Sequence, residues 1–251
     1  MTGCGKSRTW SILVTIFGDL AQNPEDEISG PLLSSLTQLI GIKPQAMRVA
    51  LHRLRRDGWI VTEKSGRTSR HRLSEFGLNQ SIIASPRIYA RTIDMPDKWH
   101  VLLANPTVRI NEKNLVTRGY LGVLPNVYIA KGPKPADVSE FLVLEGYLSE
   151  FPEWLRSSLA DAATVEEYSR FEHSLDAVKR TMENGYSPGP LETAVMRALI
   201  VHNWRRIVLR QPDLSLELLP QNPSARCREN VWGLLEQLKR PTLETLEAAA
   251  I

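Results

Sequence analysis

The chain has 251 residues, of which 42% are hydrophobic and 24% charged, a composition typical of a folded protein rather than a disordered one. Its 31 Lys and Arg residues against 28 Asp and Glu give a formal net charge of +3, so whole-chain charge does not by itself indicate nucleic acid. The longest stretch without a charged residue covers 15 residues, 28–42, which excludes a transmembrane helix.

Targeting and redox signals are also missing from the sequence. The N-terminus has no apolar core of the signal-peptide type. The two cysteines, Cys4 and Cys227, cannot form a disulfide framework or a four-ligand zinc site. These features predict a cytoplasmic protein that needs no metal and no cofactor.

The charge is concentrated in one short segment. Between residues 43 and 72, nine Lys and Arg are opposed only by Asp57 and Glu63, which gives this window a charge of +7 (9 − 2). The remaining chain therefore carries −4 (3 − 7). Such a window is either a solvated surface or a nucleic-acid contact, and the elements predicted around it favour the second.

Three short helices are predicted up to the middle of this window. Residues 8–21 carry apolar side chains at helical spacing, and a second helix follows Ser29, a plausible N-cap, and ends at Gly41. A third helix begins at Pro44 and stops at Gly58. Two short helices joined by a tight turn that contains glycine are typical of a helix-turn-helix.

The third helix has an apolar side and a polar side. Glutamine can bond an adenine edge and arginine a guanine edge, and residues near the start of such a helix usually contact bases. Arginines further along are better placed for phosphates. We therefore predict base contacts by Gln45, Arg48 and His52. Further DNA contacts are predicted for Lys43 and, to phosphates, for Arg53, Arg55 and Arg56.

The next segment predicts a basic β-hairpin. Residues 59–64 and 68–73 are β-prone and flank a turn that contains glycine. A basic hairpin directly after a basic helix is typical of a winged helix, with Arg67 at the tip placed to reach a phosphate or the minor groove. The alternative is a surface hairpin with incidental arginines. The hairpin residues predicted to contact DNA are Lys64, Arg67, Arg70 and Arg72.

The rest of the chain changes in character along its length. Ser74 can cap a further helix, which Pro86 is expected to bound. Residues 96–135 predict a small unit of strand, helix and strand. From about residue 149 the pattern is almost entirely helical, and the tail 242–251 is expected to fray.

Two further segments carry a family resemblance. They are residues 118–129, RGYLGVLPNVYI, and residues 202–220, HNWRRIVLRQPDLSLELLP. Together with the helix-turn-helix and hairpin segment they make the chain similar to the PaaX-like transcriptional regulators, the family of phenylacetate-degradation repressors. The resemblance extends over nearly the whole chain.

The resemblance implies a fold and a function. The fold is α+β, mainly α, with an N-terminal winged helix-turn-helix (residues 1–85), a small central ferredoxin-like (Cas2-like) unit (86–140) and a helical C-terminal domain for effector binding and dimerisation (141–251). The function implied is a homodimer that represses aromatic-acid catabolic genes and is released by an aryl-CoA such as phenylacetyl-CoA. Two-fold symmetry predicts a palindromic operator in double-stranded DNA.

The second family block suggests an effector site. A CoA thioester needs cations for its phosphates and an apolar cleft for its acyl group. The alternative is that Trp204 packs in the core and that Arg205 and Arg206 pair with acidic neighbours. Gln211 stands where the family often has an acidic residue, and Asn-Pro-Ser at 222–224 replaces a Trp-Pro-Gly turn, which favours a different effector if these positions touch it. The predicted effector residues are His202, Trp204, Arg205 and Arg206.

Enzymatic alternatives have weaker support. The segment Gly5-Lys6-Ser7 lacks the earlier glycine of a phosphate-binding loop, and no nucleophile elbow is present. Similarity to Cas2 raises a metal-dependent nuclease, but the first strand of the central unit ends Leu103-Ala-Asn-Pro106, without a carboxylate. A non-enzymatic regulator is therefore predicted. The alternative is a nuclease-like or acyl-CoA-binding protein in which the winged helix is only an adaptor.

Overall fold

The structure is a computed structural model that describes residues 5–66, 68–91, 98–107, 110–132, 134, 137–147, 150, 152–155, 162–210 and 223–250. The chain divides into two units, each assembled from separate segments. The first unit comprises Met1–Tyr89, Leu175–Arg206 and Val231–Ile251, and the second comprises Ala90–Ser174 and Ile207–Asn230. These units combine segments from different parts of the chain and therefore do not test the three consecutive domains expected from the sequence. That division stays a prediction.

The described residues contain helices and two antiparallel sheets, which confirms the α+β class. None of the described helices combines the length and the apolar character that a membrane crossing requires. In chain order the elements are α1 (Gly5–Leu20), β1 (Ile28–Ser29), α2 (Gly30–Leu39), α3 (Pro44–Arg56), β2 (Ile60–Ser65), β3 (Thr68–Leu73), α4 (Glu75–Tyr89), β4 (Lys98–Ala104), α5 (Glu112–Thr117), β5 (Leu121–Leu124), β6 (Val127–Lys131), β7 (Phe141–Tyr147), α6 (Ala162–Glu183), α7 (Pro190–Val208), α8 (Pro223–Gln237) and α9 (Leu243–Ala249).

The first unit begins with the helices and the hairpin that the sequence predicts. Ser29 caps α2, because its Oγ accepts a hydrogen bond of 3.1 Å from the backbone N–H of Leu32. Gly41 and Gly58 follow α2 and α3 with φ angles of 83° and 75°, the left-handed conformation that glycine adopts without a steric penalty. These local signals fix where α2 and α3 begin and end.

A short strand that the sequence analysis did not anticipate joins the hairpin. β1 pairs with β3 in an antiparallel ladder, so the sheet has the order β1-β3-β2. Ile28 is fully buried, and Ser29 lies opposite Arg70. A strand of two residues is too short to show an alternating pattern, which is why the sequence did not reveal it.

The fourth helix is longer than predicted. α4 follows Ser74, as expected, but it continues through Pro86 to Tyr89. The expectation that Pro86 bounds the helix is wrong. Ile88 is buried, and its carbonyl accepts a hydrogen bond of 2.9 Å from the indole Nε1 of Trp204. This packing holds the last turn in place, although a proline within a helix removes a backbone donor and crowds the carbonyl four residues before it.

C-terminal helices complete the core of the first unit. Ala194 and Ala198 of α7 belong to the same buried cluster as the apolar sides of α1, α2 and α3. The expectation that the tail 242–251 frays is wrong for its described residues, 242–250, because α9 buries Leu246 completely. The carboxylate of Glu247 also accepts hydrogen bonds from the backbone N–H and the hydroxyl of Ser29, at 2.9 and 2.6 Å.

A buried ion pair joins α1 to α7. The side chains of Arg197 and Asp19 are 5% and 0% exposed, and two hydrogen bonds of 3.0 Å connect them. Arg197 also donates to the carbonyls of Leu235 and Leu238. The Tyr89 hydroxyl donates to Asp19 at 2.9 Å, and burial together with this carboxylate raises the pKa of Tyr89 well above its ordinary value. We call these residues the Asp19 network.

The second unit contains a four-stranded antiparallel sheet with the order β5-β6-β4-β7. α5 covers one face, where Leu102, Leu115 and Tyr120 are buried. The strand–helix–strand pattern is present as predicted, but β7 occupies residues 141–147, at the start of the segment expected to be helical. β7 is an edge strand with Leu142 and Leu144 more than half exposed, so it lacks the clean alternation that identifies a strand.

Candidate nucleic-acid interface

α3 turns its apolar side to the core and its charged side to solvent. Met47, Ala50 and Leu54 are buried in the hydrophobic core of the first unit. The side chains predicted to contact DNA from this helix and from the residue before it are all exposed, and they are Lys43, Gln45, Arg48, His52, Arg53, Arg55 and Arg56.

The first turns of α3 hold an arginine and a glutamine together. Nη2 of Arg48 donates a hydrogen bond of 3.0 Å to Oε1 of Gln45, one helical turn before it. Both side chains are exposed, so this bond exchanges easily for bonds to another partner. The pair therefore places a guanidinium and an amide, the two groups that best recognise guanine and adenine, side by side.

The end of α3 combines arginines with one carboxylate. Asp57 lies 3.6 Å from Nε of Arg53 and 3.1 Å from Nη2 of Arg56. Exposed pairs of this kind contribute about 0–1 kcal/mol, so phosphates can displace them at little cost. Within the part of the chain that the structure describes, Lys43 and Arg55 form no ion pair with a carboxylate.

The side chains of β3 alternate between solvent and the core along its first four residues and its last two. On β3, Thr68 and Arg70 are exposed, whereas His71 and Leu73 are buried. Nε of Arg70 lies 4.0 Å from the carboxylate of Glu27, just before β1. Arg72 is half-buried and pairs with Glu63 at 3.5 Å, and Lys64 is exposed. Arg67, predicted at the tip, lies outside the described residues.

His71 connects the two hairpin strands from their buried side. Its Nδ1 lies 2.9 Å from the Thr62 hydroxyl, and its Nε2 lies 3.2 Å from the Ser69 hydroxyl. Burial, and secondarily the positive charge of Arg55, lowers the pKa of His71. The neutral imidazole is therefore the form that the folded hairpin favours.

The residues predicted for an effector site occupy different environments. Trp204 is fully buried and donates to the carbonyl of Ile88, so it packs in the core. His202 is also buried, with Nδ1 3.4 Å from the Thr15 hydroxyl. Arg205 is half-buried and donates to the same hydroxyl at 3.2 Å, while Arg206 is exposed. Only the two arginines are accessible to a ligand.

Sequence reasoning missed the polar groups of α1 that bond to α7. Thr15 and Asp19 lie in a segment of α1 dominated by apolar residues, and Asp19 is 178 residues away from its partner Arg197. No spacing rule connects positions so far apart. A polar residue within an apolar helix is the one signal that indicates a buried partner.

The central sheet has no carboxylate at the position relevant to a nuclease. β4 ends at Ala104, and Oδ1 of the following Asn105 accepts bonds from the N–H and hydroxyl of Thr107 at 3.0 and 2.8 Å. Among the residues that the structure describes, no group of three or more His, Cys, Asp or Glu side chains could hold a metal ion.

Fold and surface together define an α+β protein that exposes a basic helix followed by a basic hairpin. A family model described as PaaX-like protein matches residues 8–77, and one described as PaaX-like protein C-terminal domain matches residues 160–247. The chain belongs to the PaaX-like family. The resemblance seen in the sequence is thus confirmed.

Individual relatives agree with this assignment. The chain is 28% identical over 233 residues to the transcriptional repressor PaaX of Escherichia coli (strain K12), a match that covers 84% of this chain and 73% of that protein. Among solved structures it is similar to the uncharacterized protein Rv0674 from Mycobacterium tuberculosis, with a TM-score of 0.60, 21% identity, and coverage of 96% of this chain and 98% of that one. The second likeness concerns the fold alone.

Proposed function

We propose that this protein is a sequence-specific DNA-binding transcriptional regulator of the cytoplasm that represses genes of aromatic-acid catabolism. The observation that carries the proposal is the cationic surface, by which we mean the exposed polar side chains of α3 and its N-cap together with Lys64, Arg70 and Arg72 of the hairpin. Family membership supports the same conclusion, and the name of the Escherichia coli relative supports repression.

We assign the N-terminal elements to a winged helix-turn-helix. The turn that joins α2 to α3 contains Gly41, and a three-stranded sheet with a β2–β3 hairpin follows, which is the arrangement such a domain requires. We assign the central sheet to a ferredoxin-like (Cas2-like) unit. Its order β5-β6-β4-β7, with α5 between the first two strands in sequence, supports that assignment.

On DNA, α3 enters the major groove with its N-terminal half against the bases. Gln45, Arg48 and His52 contact base edges. The remaining cations hold phosphates and set the position of the protein on the duplex, without carrying sequence information themselves. They are Lys43, Arg53, Arg55 and Arg56 on the helix and Lys64, Arg67, Arg70 and Arg72 on the hairpin. A homodimer places two such helices on the half-sites of a palindromic operator.

An aryl-CoA such as phenylacetyl-CoA releases the protein from its operator. It binds in the C-terminal region near the two accessible arginines, Arg205 and Arg206, while the buried His202 and Trp204 support α7 from the core side. Coupling between two such sites is typically about 1–3 kcal/mol. No observation favours the alternative of a nuclease or of a protein that uses the winged helix only as an adaptor.

The proposal is tested by selecting binding sites from a pool of random DNA duplexes with the purified full-length protein. We expect a palindromic consensus that is bound at least a thousandfold more tightly than random duplex at the same salt concentration. Addition of phenylacetyl-CoA is expected to weaken operator binding by about 5- to 150-fold. If no consensus emerges, DNA recognition is refuted; if a consensus emerges and no acyl-CoA affects it, the effector part alone is refuted.

A further inference from the structure

Val49 is an apolar residue in the middle of the solvent-facing side of α3. Within this helix, every residue of which the structure describes, it is the one large apolar side chain that is exposed, with 49% of its surface accessible. At about 3.6 residues per turn, it lies about 140° around the helix axis from the buried Leu54 and about 40° from the exposed Gln45. Val49 therefore faces solvent on the same side as the predicted base contacts.

Polar side chains surround Val49 on the helix surface. Residues three and four positions apart are neighbours on an α-helix, so Val49 lies beside Gln45, His52 and Arg53. All three of these neighbours are exposed, and Arg48 joins them through its hydrogen bond of 3.0 Å to Gln45. Val49 is thus an apolar point within the cationic surface, next to the groups assigned to base edges.

The fold benefits little from a valine at this position. With about half of its surface exposed, Val49 is only partly withdrawn from water, and its β-branched side chain has a lower helix propensity than alanine. The same branching holds the side chain in one strongly preferred rotamer, so its two methyl groups are fixed in place before a partner binds. A side chain that is already ordered loses little conformational entropy on binding. Val49 is therefore better suited to contact a partner than to stabilise α3.

The major groove offers one kind of apolar group to such a side chain. Among the bases seen from this groove, thymine alone presents a methyl group, at C5, while the other recognition features are hydrogen-bond donors and acceptors. Valine has no hydrogen-bonding group, so contact with a base amino group or carbonyl would remove water from that group without replacing its hydrogen bond. Contact with the thymine methyl group instead buries apolar surface on both sides.

We propose that Val49 recognises the C5 methyl group of a thymine in the operator and so sets the preferred base at one position of each half-site. About 6 Å along the helix axis separate positions 45 and 49, whereas base pairs rise by about 3.4 Å. This thymine therefore lies within two base pairs of the position that Gln45 contacts. The inference rests on the proposed function, since it names a base that the same surface recognises.

The inference is tested with the full-length protein on the consensus duplex selected from random DNA. Each thymine of the consensus is replaced in turn by deoxyuridine, which removes the methyl group and leaves every hydrogen-bonding group in place. Fluorescence anisotropy is expected to show about a fourfold loss of affinity at one thymine of each half-site, the effect of one buried methyl group, and about a 15-fold loss when both half-sites are substituted.

Val49→Ala removes the two methyl groups of the side chain and is expected to abolish this discrimination, so that the thymine and deoxyuridine duplexes bind equally well. The matched control is Ile83→Ala, at an exposed β-branched residue of α4, which is expected to keep the wild-type response. The urea midpoint of Val49→Ala is expected not to fall, since alanine favours the helix. A change in DNA recognition is thereby separated from a change in folding.

Two results would overturn the inference while the proposed function stands. One is a consensus at which no deoxyuridine substitution weakens binding by the wild-type protein. The other is a methyl dependence that persists unchanged in Val49→Ala, because the preference then comes from the deformability of the DNA and not from this side chain. A selection that yields no consensus refutes the regulator and this inference together.

Discussion

The first unit contains arginines in two contrasting environments, the exposed cationic surface and the buried contact between α1 and α7. On the cationic surface, the described arginines are exposed or half-buried, and four of them (Arg53, Arg56, Arg70 and Arg72) pair with carboxylates at distances of 3.1–4.0 Å, where solvent screens the attraction. On α7, Arg197 is buried and bound to Asp19 by two hydrogen bonds of 3.0 Å. Removing the arginines of the cationic surface is expected to change the free energy of unfolding only slightly, so they are available to bind a partner. Arg197 is structural.

The Asp19 network gives the largest expected effect. Asp19→Ala leaves Arg197 buried without its carboxylate, which we expect to lower the free energy of unfolding by about 3–5 kcal/mol. The matched control is Asp57→Ala, which removes the carboxylate of two exposed arginines and is expected to cost less than about 1 kcal/mol. Urea denaturation measures both. Equal losses in the two variants would refute the contrast between the two environments.

The contact between α4 and the start of the hairpin gives the next effect. A Cβ at Gly77 would overlap the carbonyl oxygen of Trp59, so Gly77→Ala is expected to lower the free energy of unfolding by about 1–3 kcal/mol. Gly233 of α8 has open space around its Cβ position, and Gly233→Ala is expected to raise stability by up to about 1 kcal/mol, as a helical alanine does. Urea midpoints that moved in the same direction would contradict this prediction.

Phosphate contacts give a smaller effect, on the affinity for any DNA duplex. This effect is measured from the dependence of the binding constant on salt concentration. If about eight phosphates are neutralised per homodimer, the logarithm of the binding constant falls with that of salt concentration with a slope of about −7. Arg55→Ala and Lys64→Ala are each expected to reduce this slope by about 2 per homodimer and to weaken all sequences alike. Arg180→Ala serves as the control outside the cationic surface. Fluorescence anisotropy across a salt series would show an unchanged slope if these residues do not touch DNA.

The hairpin histidine gives the smallest effect, a dependence of stability on pH. Burial lowers the pKa of His71 in the folded state, so below about pH 6.5 the unfolded chain binds more protons than the folded one. Stability is therefore expected to fall as the pH is lowered from 6.5 toward the pKa of the folded state. Urea midpoints at pH 7.5 and 5.5 measure this loss, and His71→Gln should reduce it. An identical pH dependence in the variant would assign the loss to other groups.

The sequence predicts those parts of the fold that local chemistry determines. Ser29, Gly41 and Gly58 mark the ends of α2 and α3 through their own side-chain or backbone preferences, and the charge of the 43–72 window is a property of the sequence itself. The exposure of the predicted DNA contacts follows from the apolar stripe of α3, because a helix that buries Met47 and Leu54 must turn its other side to solvent.

Long-range packing decides the features that the sequence analysis missed. α4 continues through Pro86 because Trp204, more than a hundred residues away, holds its last turn. The pairing of Asp19 with Arg197 and the bond from Ser29 to Glu247 likewise depend on helices that are distant in sequence. The predicted effector residues were divided in the same way, since neighbouring positions on α7 alternate between the core and the surface.

The contrast between the exposed side chains of the cationic surface and the buried Arg197 is tested most directly with the variant Arg48→Ala. Operator affinity and the free energy of unfolding are measured on the same preparation. We expect operator affinity to fall by about 1–3 kcal/mol, with relaxed preference at one base position, and the free energy of unfolding to change by less than about 0.5 kcal/mol. Unchanged affinity and sequence preference, or a loss of affinity matched by a loss of stability, would contradict the assignment of the cationic surface to DNA.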